Sequence, residues 1–308
     1  MVIRMNVKIS AKDKNEIKKL SEHGNVIENI ANSFAPNIFG SEEVKESIVL
    51  QMFGSDRGGI HILLVGDPGT CAVELVKAAA EIHPNPNVVY HPDNAYTSMM
   101  PEGSLACICE LGREENADAM RMLESLKHDK IKTSILAATA PTFGRFDPYL
   151  PISCQVNFHS YIIPLFDLKF GLRDVPDKSK DDEIAKRFLN SEKIEQEIEN
   201  SLMKKYLCYA RQHIHPKLND DAKDRIREFF VGLRSKSSPE EGPIPLHFGQ
   251  LVSLAKLAEA AARCRFDNVA NKDDALVAIE MMKASLRQFG FDPEIGKIDI
   301  DRAEGRKK

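Results

Sequence analysis

The amino-acid sequence predicts an α/β fold, in which a largely parallel sheet core is followed by an all-helical domain. Short apolar runs recur between residues 61 and 172, and segments of helix length separate most of them, which is typical of a parallel sheet. After residue 177 the composition becomes more charged and apolar residues recur at helical spacing, which predicts the second domain. With 308 residues the chain is long enough for two domains that each bury a core.

Two helical segments precede the predicted sheet. In the first, Ser10 and Asp13 have the spacing of a capping box, and Gly24 interrupts the helical pattern further on. The second is predicted over Ser41 to Phe53, with its first residue as the N-cap and with Gly54 ending it.

The sheet is predicted from runs that are apolar throughout, as expected for strands buried on both faces. The predicted strands are His61 to Val65, Val88 to His91, Leu105 to Leu111, Ser134 to Ala140 and Leu168 to Leu172. We expect residues 1–37 to form an N-terminal helical or linker segment, 38–176 the α/β core, and 177–308 the helical domain with a C-terminal tail.

Three apolar stripes predict the long helices of the second domain. Their residues are Ala222, Ile226, Phe229, Phe230 and Leu233; Leu251, Leu254, Ala255, Ala258 and Ala262; and Ala275, Ile279, Met282 and Leu286. A polar, turn-rich loop is predicted between the first two stripes, over Ser235 to Gly242.

Composition excludes several classes of function. The net charge is only −4 and the basic residues are dispersed, so no electrostatic footprint for nucleic acid is visible. No apolar segment is long enough to cross a membrane, which predicts a cytoplasmic protein. The six cysteines lack the spacing of metal ligands, so we predict buried, reduced thiols and no metal site.

The first predicted strand runs into a glycine-rich turn that resembles a phosphate-binding loop. Gly66, Asp67, Pro68, Gly69 and Thr70 lie between a strand and a helix, where backbone N–H groups and the helix start can hold phosphate. A complete loop also has a Lys for the β- and γ-phosphates and a Ser or Thr for Mg²⁺.

The places of those two side chains are taken by Ala72 and Val73, a methyl group and a branched hydrocarbon. Lys77 does not substitute for the missing Lys, because five residues along a helix rotate it by roughly 140° from the required face.

Several blocks of sequence resemble the AAA+ region of the minichromosome maintenance (MCM) family. They are "SFAPNIFGSEEVKESIVLQMFG", "RGGIHILLVGDPGT", "FGRFDPY", "HPKLNDDA" and "SLRQFGFDPEIGKIDID". Their order is that of the family, and the resemblance runs from about Ile9 to Asp301. It implies an AAA+ P-loop NTPase-like core followed by a helical lid.

The resemblance also implies that most catalytic positions of the family have changed. Cys109 stands where the family has its Mg²⁺-binding Asp, while Glu110 matches the catalytic Glu beside it. Ala140 replaces the Asn that places water, Leu165 replaces the Arg that reaches a neighbouring subunit, and Gly249 replaces the lid Arg.

These changes predict an MCM-like protein that no longer hydrolyses ATP. We expect no catalytic residues, no required cofactor and no bound Mg²⁺, with residual ATP or ADP binding by the loop left open. The spans from Thr70 to Glu110 and from Glu110 to Ala140 are too short for the family's DNA-contacting insertion and hairpin, so DNA binding is expected to be weak or absent.

The expected partners are an active MCM relative or other replication factors, and the isolated chain is expected to be a monomer. Two alternatives stay open: a subunit that binds nucleotide without hydrolysing it in a hetero-oligomeric helicase, and an active ATPase that uses Arg57, Arg113 or Arg145 as replacements. A fragment of a longer protein and a decaying gene copy are also compatible with the sequence.

Overall fold

The computed structural model describes residues 8–22, 24–89, 103–111, 133–147, 150, 152–158, 162–189, 197–236, 247–292 and 297–298. Its centre is a parallel five-stranded sheet with the strand order β2-β3-β4-β1-β5. The strands are β1 (His61–Gly66), β2 (Pro86–Val89), β3 (Leu105–Cys109), β4 (Ser134–Thr139) and β5 (Leu168–Leu172). The predicted α/β core is therefore confirmed.

Four predicted strand bounds were wrong. Strand β1 ends at Gly66, one residue after the prediction. Strand β2 begins at Pro86, two residues before the prediction, and its predicted end at His91 lies outside the described residues. Strand β3 ends at Cys109 because Glu110 has a positive φ of 72°, which leaves the extended region. Strand β4 ends at Thr139, one residue early.

Helices surround the sheet and continue beyond it. They are α1 (Ala11–Ser21), α2 (Val26–Ser33), α3 (Glu42–Phe53), α4 (Ala72–Ile82), α5 (Lys178–Leu189), α6 (Asn200–His213), α7 (Asp220–Lys236), α8 (Gly249–Cys264) and α9 (Lys272–Gln288). The capping box of Ser10 and Asp13 is confirmed. Ser41 precedes α3 as predicted, but it adopts a left-handed conformation and its side chain makes no capping hydrogen bond.

Helices α6, α7, α8 and α9 lie in the predicted helical domain, with one addition to the predicted all-helical arrangement. Strands β6 (Lys217–Leu218) and β7 (Val269–Ala270) form a short parallel pair beside the helices. Two-residue strands carry no periodic signal, so the sequence pattern could not predict them. After α9, strands β8 (Phe291–Asp292) and β9 (Lys297–Ile298) pair in antiparallel fashion.

The hydrophobic core continues from the sheet into the lid. One cluster of buried side chains joins a face of the sheet to α3, α4, α8 and α9, and a second covers the other face. Around Tyr206, the rings of Phe53 and Phe266 meet it edge-on with centroids 5.3 and 4.8 Å away. The lid therefore shares a core with the sheet.

The cysteine prediction is only partly confirmed. Cys107, Cys109, Cys208 and Cys264 are buried, but Cys71 is half-buried and Cys154 is exposed. Cys154 ends a short 3₁₀ turn, Ile152–Cys154, where the chain reaches the surface. In the described parts of the chain, no three His, Cys, Asp or Glu side chains cluster as metal ligands would, and no helix could span a membrane.

Candidate functional site

The candidate site lies where the parallel strands end. Val65 pairs with Thr139 and Cys109 pairs with Ala138, so the turns after β1, β3 and β4 lie along one edge of the sheet. This carboxyl edge, where the strand order reverses around β1, is where α/β sheets bind ligands. The structure thus brings the glycine-rich turn together with Glu110 and Ala140.

The turn after β1 is bonded to itself. The Thr70 backbone N–H and hydroxyl both donate to the carbonyl oxygen of Asp67, at 3.2 and 2.7 Å. A Cβ added at Gly66 would lie 2.6 Å from the Thr70 hydroxyl, so a larger residue would displace that hydroxyl from its bond to Asp67. Gly69 and Cys71 have positive φ values of 89° and 60°, and α4 begins at the next residue. The amide of Thr70 is therefore already used within the turn.

Asp67 fastens this turn to two other loops. Its carboxylate is buried and accepts the backbone N–H groups of Phe146 at 2.7 Å and Asp174 at 3.0 Å. Its own N–H donates to the carbonyl of Leu172 at 2.9 Å, beside the end of β1. Asp67 thus has a structural role at the edge, and its negative charge would oppose a bound phosphate.

Arg173 is a cation at this edge that the sequence interpretation missed. It follows β5 directly, its guanidinium lies 5.3 Å from the centre of the Phe146 ring, and burial lowers its pKa although Asp67 opposes that shift. Its Nη2 atom is buried and has no hydrogen-bond partner among the residues that the structure describes. The sequence does contain a signal that could have found it, because this Arg directly follows a predicted parallel strand.

The two positions where a complete phosphate-binding loop has its Lys and its Ser or Thr carry hydrocarbon side chains here. Ala72 is buried at the first position of α4, and Val73 packs partly buried against the main core cluster. Lys77 is exposed further along the same helix. The start of α4 therefore offers its backbone N–H groups but no cationic side chain.

Cys109 stands at the end of β3 as a buried thiol. Burial raises its pKa, Glu110 adds to the rise, and the charge of Lys77 opposes it without cancelling it. The thiol is consequently neutral near pH 7. Glu110 is half-buried beside it, and Ala140 is exposed after β4.

Leu165 and Gly249 lie towards the opposite edge of the sheet. Leu165 ends a 3₁₀ turn, Ile163–Leu165, and packs on the second core cluster. Asp167, two residues on, bonds to His61 at the amino end of β1. Gly249 begins α8, and an added Cβ would lie 2.7 Å from the ring of His247. These two positions therefore do not join the glycine-rich turn.

The residues at the carboxyl edge do not fit a Mg²⁺-bound triphosphate. Mg²⁺ prefers oxygen ligands, whereas Val73 has no polar atom and Cys109 has a protonated thiol. The position of the phosphate-binding Lys is a methyl group, and the Thr70 amide is bonded to Asp67. We therefore derive no hydrolytic step at this edge.

Comparisons with known proteins place the chain in a family. The family model described as the MCM P-loop domain matches residues 13–100 and 99–192, and the MCM AAA-lid domain matches residues 201–286. The P-loop match continues past the predicted domain boundary at residue 176, which stays a prediction.

Individual relatives agree with the family models. The Minichromosome maintenance protein MCM of Saccharolobus solfataricus is 30% identical over 342 residues, which covers 95% of this chain and 49% of that protein. An uncharacterized MCM-type protein of Methanocaldococcus jannaschii is 29% identical, covering 97% of this chain and 47% of its own length. DNA replication licensing factor MCM4 of Arabidopsis thaliana is 26% identical, with 96% and 41% covered.

The chain spans about half the length of the curated relatives it matches. Within that half, the parallel sheet and the lid lie in the order in which the two family models match. The predicted family is therefore confirmed: the chain belongs to the MCM family and has its AAA+ core and lid.

Proposed function

We propose that this chain is an MCM-family AAA+ module that does not hydrolyse ATP and acts through contacts with an active MCM relative. The observation that carries the proposal is the chemistry of three side chains at the carboxyl edge. Ala72 has only a methyl group and Val73 only a branched hydrocarbon, and the thiol of Cys109 is neutral. The fold around these positions is intact, and its core is continuous from sheet to lid.

The magnitudes support loss of turnover. One lost hydrogen bond to a charged group costs about 1.5–3 kcal/mol, so the missing Lys alone weakens triphosphate binding roughly 10- to 150-fold. A missing arginine finger can cost about 10³ to 10⁵ in rate. Leu165, at that position, packs against the chain's own core instead.

A role in DNA replication is part of the proposal. The relatives include proteins named DNA replication licensing factor and, in Rattus norvegicus, DNA helicase MCM8. For this chain we propose the same setting, with an active MCM protein or another replication factor as the partner, weak or absent DNA binding, no required cofactor and a monomeric state when isolated. A cytoplasmic or nuclear location follows from it.

The test combines activity and association. The purified chain is assayed for phosphate release from Mg-ATP, alone and with the host's active MCM protein, and the mixture is analysed by size-exclusion chromatography. We expect no release from the chain alone, together with co-migration or a changed ATPase rate of the active protein. Turnover by the chain alone, abolished by Glu110→Gln, would contradict the loss of hydrolysis, and neither co-migration nor a rate change would contradict the partner.

Residual binding of a nucleotide without Mg²⁺ is a second candidate, favoured by Arg173. Its buried, unpartnered Nη2 lies at the same edge as the first N–H groups of α4, which favour an anion. Calorimetry with ADP and ATP at millimolar concentration tests this candidate. Arg173→Gln should then abolish the heat, whereas Arg145→Gln, which removes an exposed ion pair with Asp174, should leave it unchanged.

An active ATPase with replacement arginines has less support. Arg57 lies 2.6 Å from the buried carboxylate of Glu259, and Arg145 lies 3.2 Å from Asp174. Arg113 lies outside the described residues. The two described arginines are therefore tied to carboxylates of the chain itself.

A further inference from the structure

Helix α8 carries a row of polar side chains against the segment that leads from α3 into β1. Ser253, Lys256, Glu259 and Arg263 follow one another at spacings of three or four residues, so they lie along one side of the helix. Each of them bonds to residues between Phe53 and His61 or to Asp167 beside them. We call these four side chains and their partners the α8 clamp.

The first half of the α8 clamp converges on Asp167, a buried carboxylate just before β5. The Ser253 hydroxyl donates to it at 2.6 Å, and the backbone N–H of His61 donates at 2.7 Å. The Lys256 ammonium lies 3.3 Å from the same carboxylate and donates to the carbonyl of Gly59 at 2.7 Å. A lid helix is thereby bonded to Gly59 and Asp167, which lie just before β1 and β5.

The second half of the α8 clamp holds the turn after α3. The buried carboxylate of Glu259 accepts from Arg57 and from the Ser55 hydroxyl, both at 2.6 Å. The buried guanidinium of Arg263 donates to the carbonyls of Phe53 at 3.1 Å and Gly54 at 2.7 Å, and to Asp56 at 2.6 Å. Every turn of α8 from residue 253 to residue 263 thus contributes a link.

Helix α9 adds an independent link at the edge of the sheet. The Ser285 hydroxyl accepts the backbone N–H of Lys169 at 2.7 Å and donates to the carbonyl of the same residue at 2.8 Å. One hydroxyl therefore satisfies both backbone groups of a β5 residue, and α9 covers a strand edge that would otherwise be unpaired.

From these contacts we infer that the lid is held to the sheet as one body, whose α8 helix separates from β1 only when the whole chain unfolds. Buried charges are costly to separate from their partners, because each would be left uncompensated in the core. Lids of nucleotide-binding enzymes commonly move by hinge closure, and the α8 clamp removes that freedom. The inference does not depend on the proposed function, since the clamp lies away from the carboxyl edge.

Hydrogen exchange of the full chain in increasing urea, read by mass spectrometry, tests the inference. Backbone amides of α8 and α9 should be protected as strongly as those of β1 and β4, and both sets should respond equally to urea, as a single unfolding unit does. Exchange of α8 and α9 about tenfold or more faster than β1 without urea, with a weaker urea response, would overturn it.

A variant pair assigns the effect to the α8 clamp. Lys256→Met keeps the aliphatic stem but removes the ammonium, and because α8 and β1 open together it should speed the exchange of both by the same factor, roughly 10- to 150-fold. Lys223→Met, which removes an exposed pair with Asp220 on α7, should change neither. Faster exchange in α8 alone would overturn the single unfolding body, and unchanged exchange in both elements would show that the ammonium of Lys256 does not hold the lid. If Lys256→Met does not fold, the wild-type measurement and the milder Ser253→Ala variant decide the question.

Discussion

The carboxyl edge of the sheet and the α8 clamp use polar side chains in opposite ways. At the carboxyl edge, the side chains of Ala72, Val73 and Ala140 carry no charge, and the proposed function depends on these three positions. In the α8 clamp, Glu259 and Arg263 are charged and almost fully buried. Glu259 is paired with Arg57, and Arg263 bonds to Asp56 and to the carbonyl of Phe53.

This difference separates side chains that perform chemistry from those that hold the fold. Buried charges of the α8 clamp would cost several kcal/mol each if they were left unpaired, and each of them has a partner. The proposed loss of catalytic side chains at Ala72, Val73 and Ala140 leaves these ion pairs in place. Asp67 is the informative exception, because it lies at the carboxyl edge and bonds like a residue of the clamp.

The largest expected effect comes from breaking the α8 clamp at Arg263. Arg263→Met removes the guanidinium that donates to three backbone carbonyls and to Asp56, so the free energy of unfolding should fall by about 3–5 kcal/mol. Urea denaturation measures it, with Arg227→Met as the control, because the pair of Arg227 with Asp224 is exposed and should contribute less than about 1 kcal/mol. Equal losses in the two variants would remove the distinction between the clamp and an ordinary surface.

The second-largest expected effect is a pH dependence of stability that comes from His61, beside the α8 clamp. Burial lowers the pKa of His61 from 6.5 to about 4, with Lys256 adding to the shift and Asp167 opposing it. Between pH 6.5 and 4 the unfolded chain binds the proton and the folded chain does not, so stability falls as pH falls through this range. The loss from this group should reach about 3 kcal/mol near pH 4.

The comparison of His61→Gln with the wild type isolates that effect from the titration of carboxylates. Glutamine does not titrate, so the variant should lose about 3 kcal/mol less between pH 7 and pH 4 in urea denaturation. Burial also lowers the pKa of His83. Because His83 is present in both proteins, its contribution to the pH dependence cancels in the comparison. Parallel pH profiles would show that His61 is protonated in the folded state.

Local pattern was sufficient to predict the five strands of the sheet and the three long helices of the lid, but not the two-residue strands. The strands were predicted because runs such as His61 to Val65 are apolar throughout, and the lid helices because their stripes have helical spacing. The end of β3 was missed because a positive φ at Glu110 leaves no trace in a single sequence. The cap at Ser41 failed for the same reason.

The α8 clamp could not be predicted, because its partners are far apart in the chain. Lys256 and Asp167 are separated by 89 residues, and Arg263 and Gly54 by 209, so only the folded chain brings them together. The vacated positions of the candidate site were predicted from the resemblance, residue by residue, and they stay a prediction. Arg173 was missed because the resemblance directed attention to the family's own catalytic positions.

A third prediction concerns Asp67, the exception at the carboxyl edge. Asp67→Ala leaves the N–H groups of Phe146 and Asp174 without an acceptor, so the free energy of unfolding should fall by about 1.5–3 kcal/mol. Asp174→Ala is the matched control from the same loops, because it removes only an exposed pair with Arg145. A loss below about 0.5 kcal/mol for Asp67→Ala would mean that the carboxyl edge holds no structural polar residue.

The smallest effect is expected at the exposed position after β4. Ala140→Asn restores the side-chain type that the family resemblance places there, and because residue 140 is exposed, the free energy of unfolding should change by less than about 0.5 kcal/mol. Phosphate release from Mg-ATP should stay at background, since Ala72, Val73 and Cys109 still provide neither a cation nor an oxygen ligand. Urea denaturation and a phosphate-release assay give the two readings. ATP hydrolysis gained from this single change would mean that the other residues of the carboxyl edge can still bind and hydrolyse ATP. The contrast with the α8 clamp would then depend on residue 140 alone.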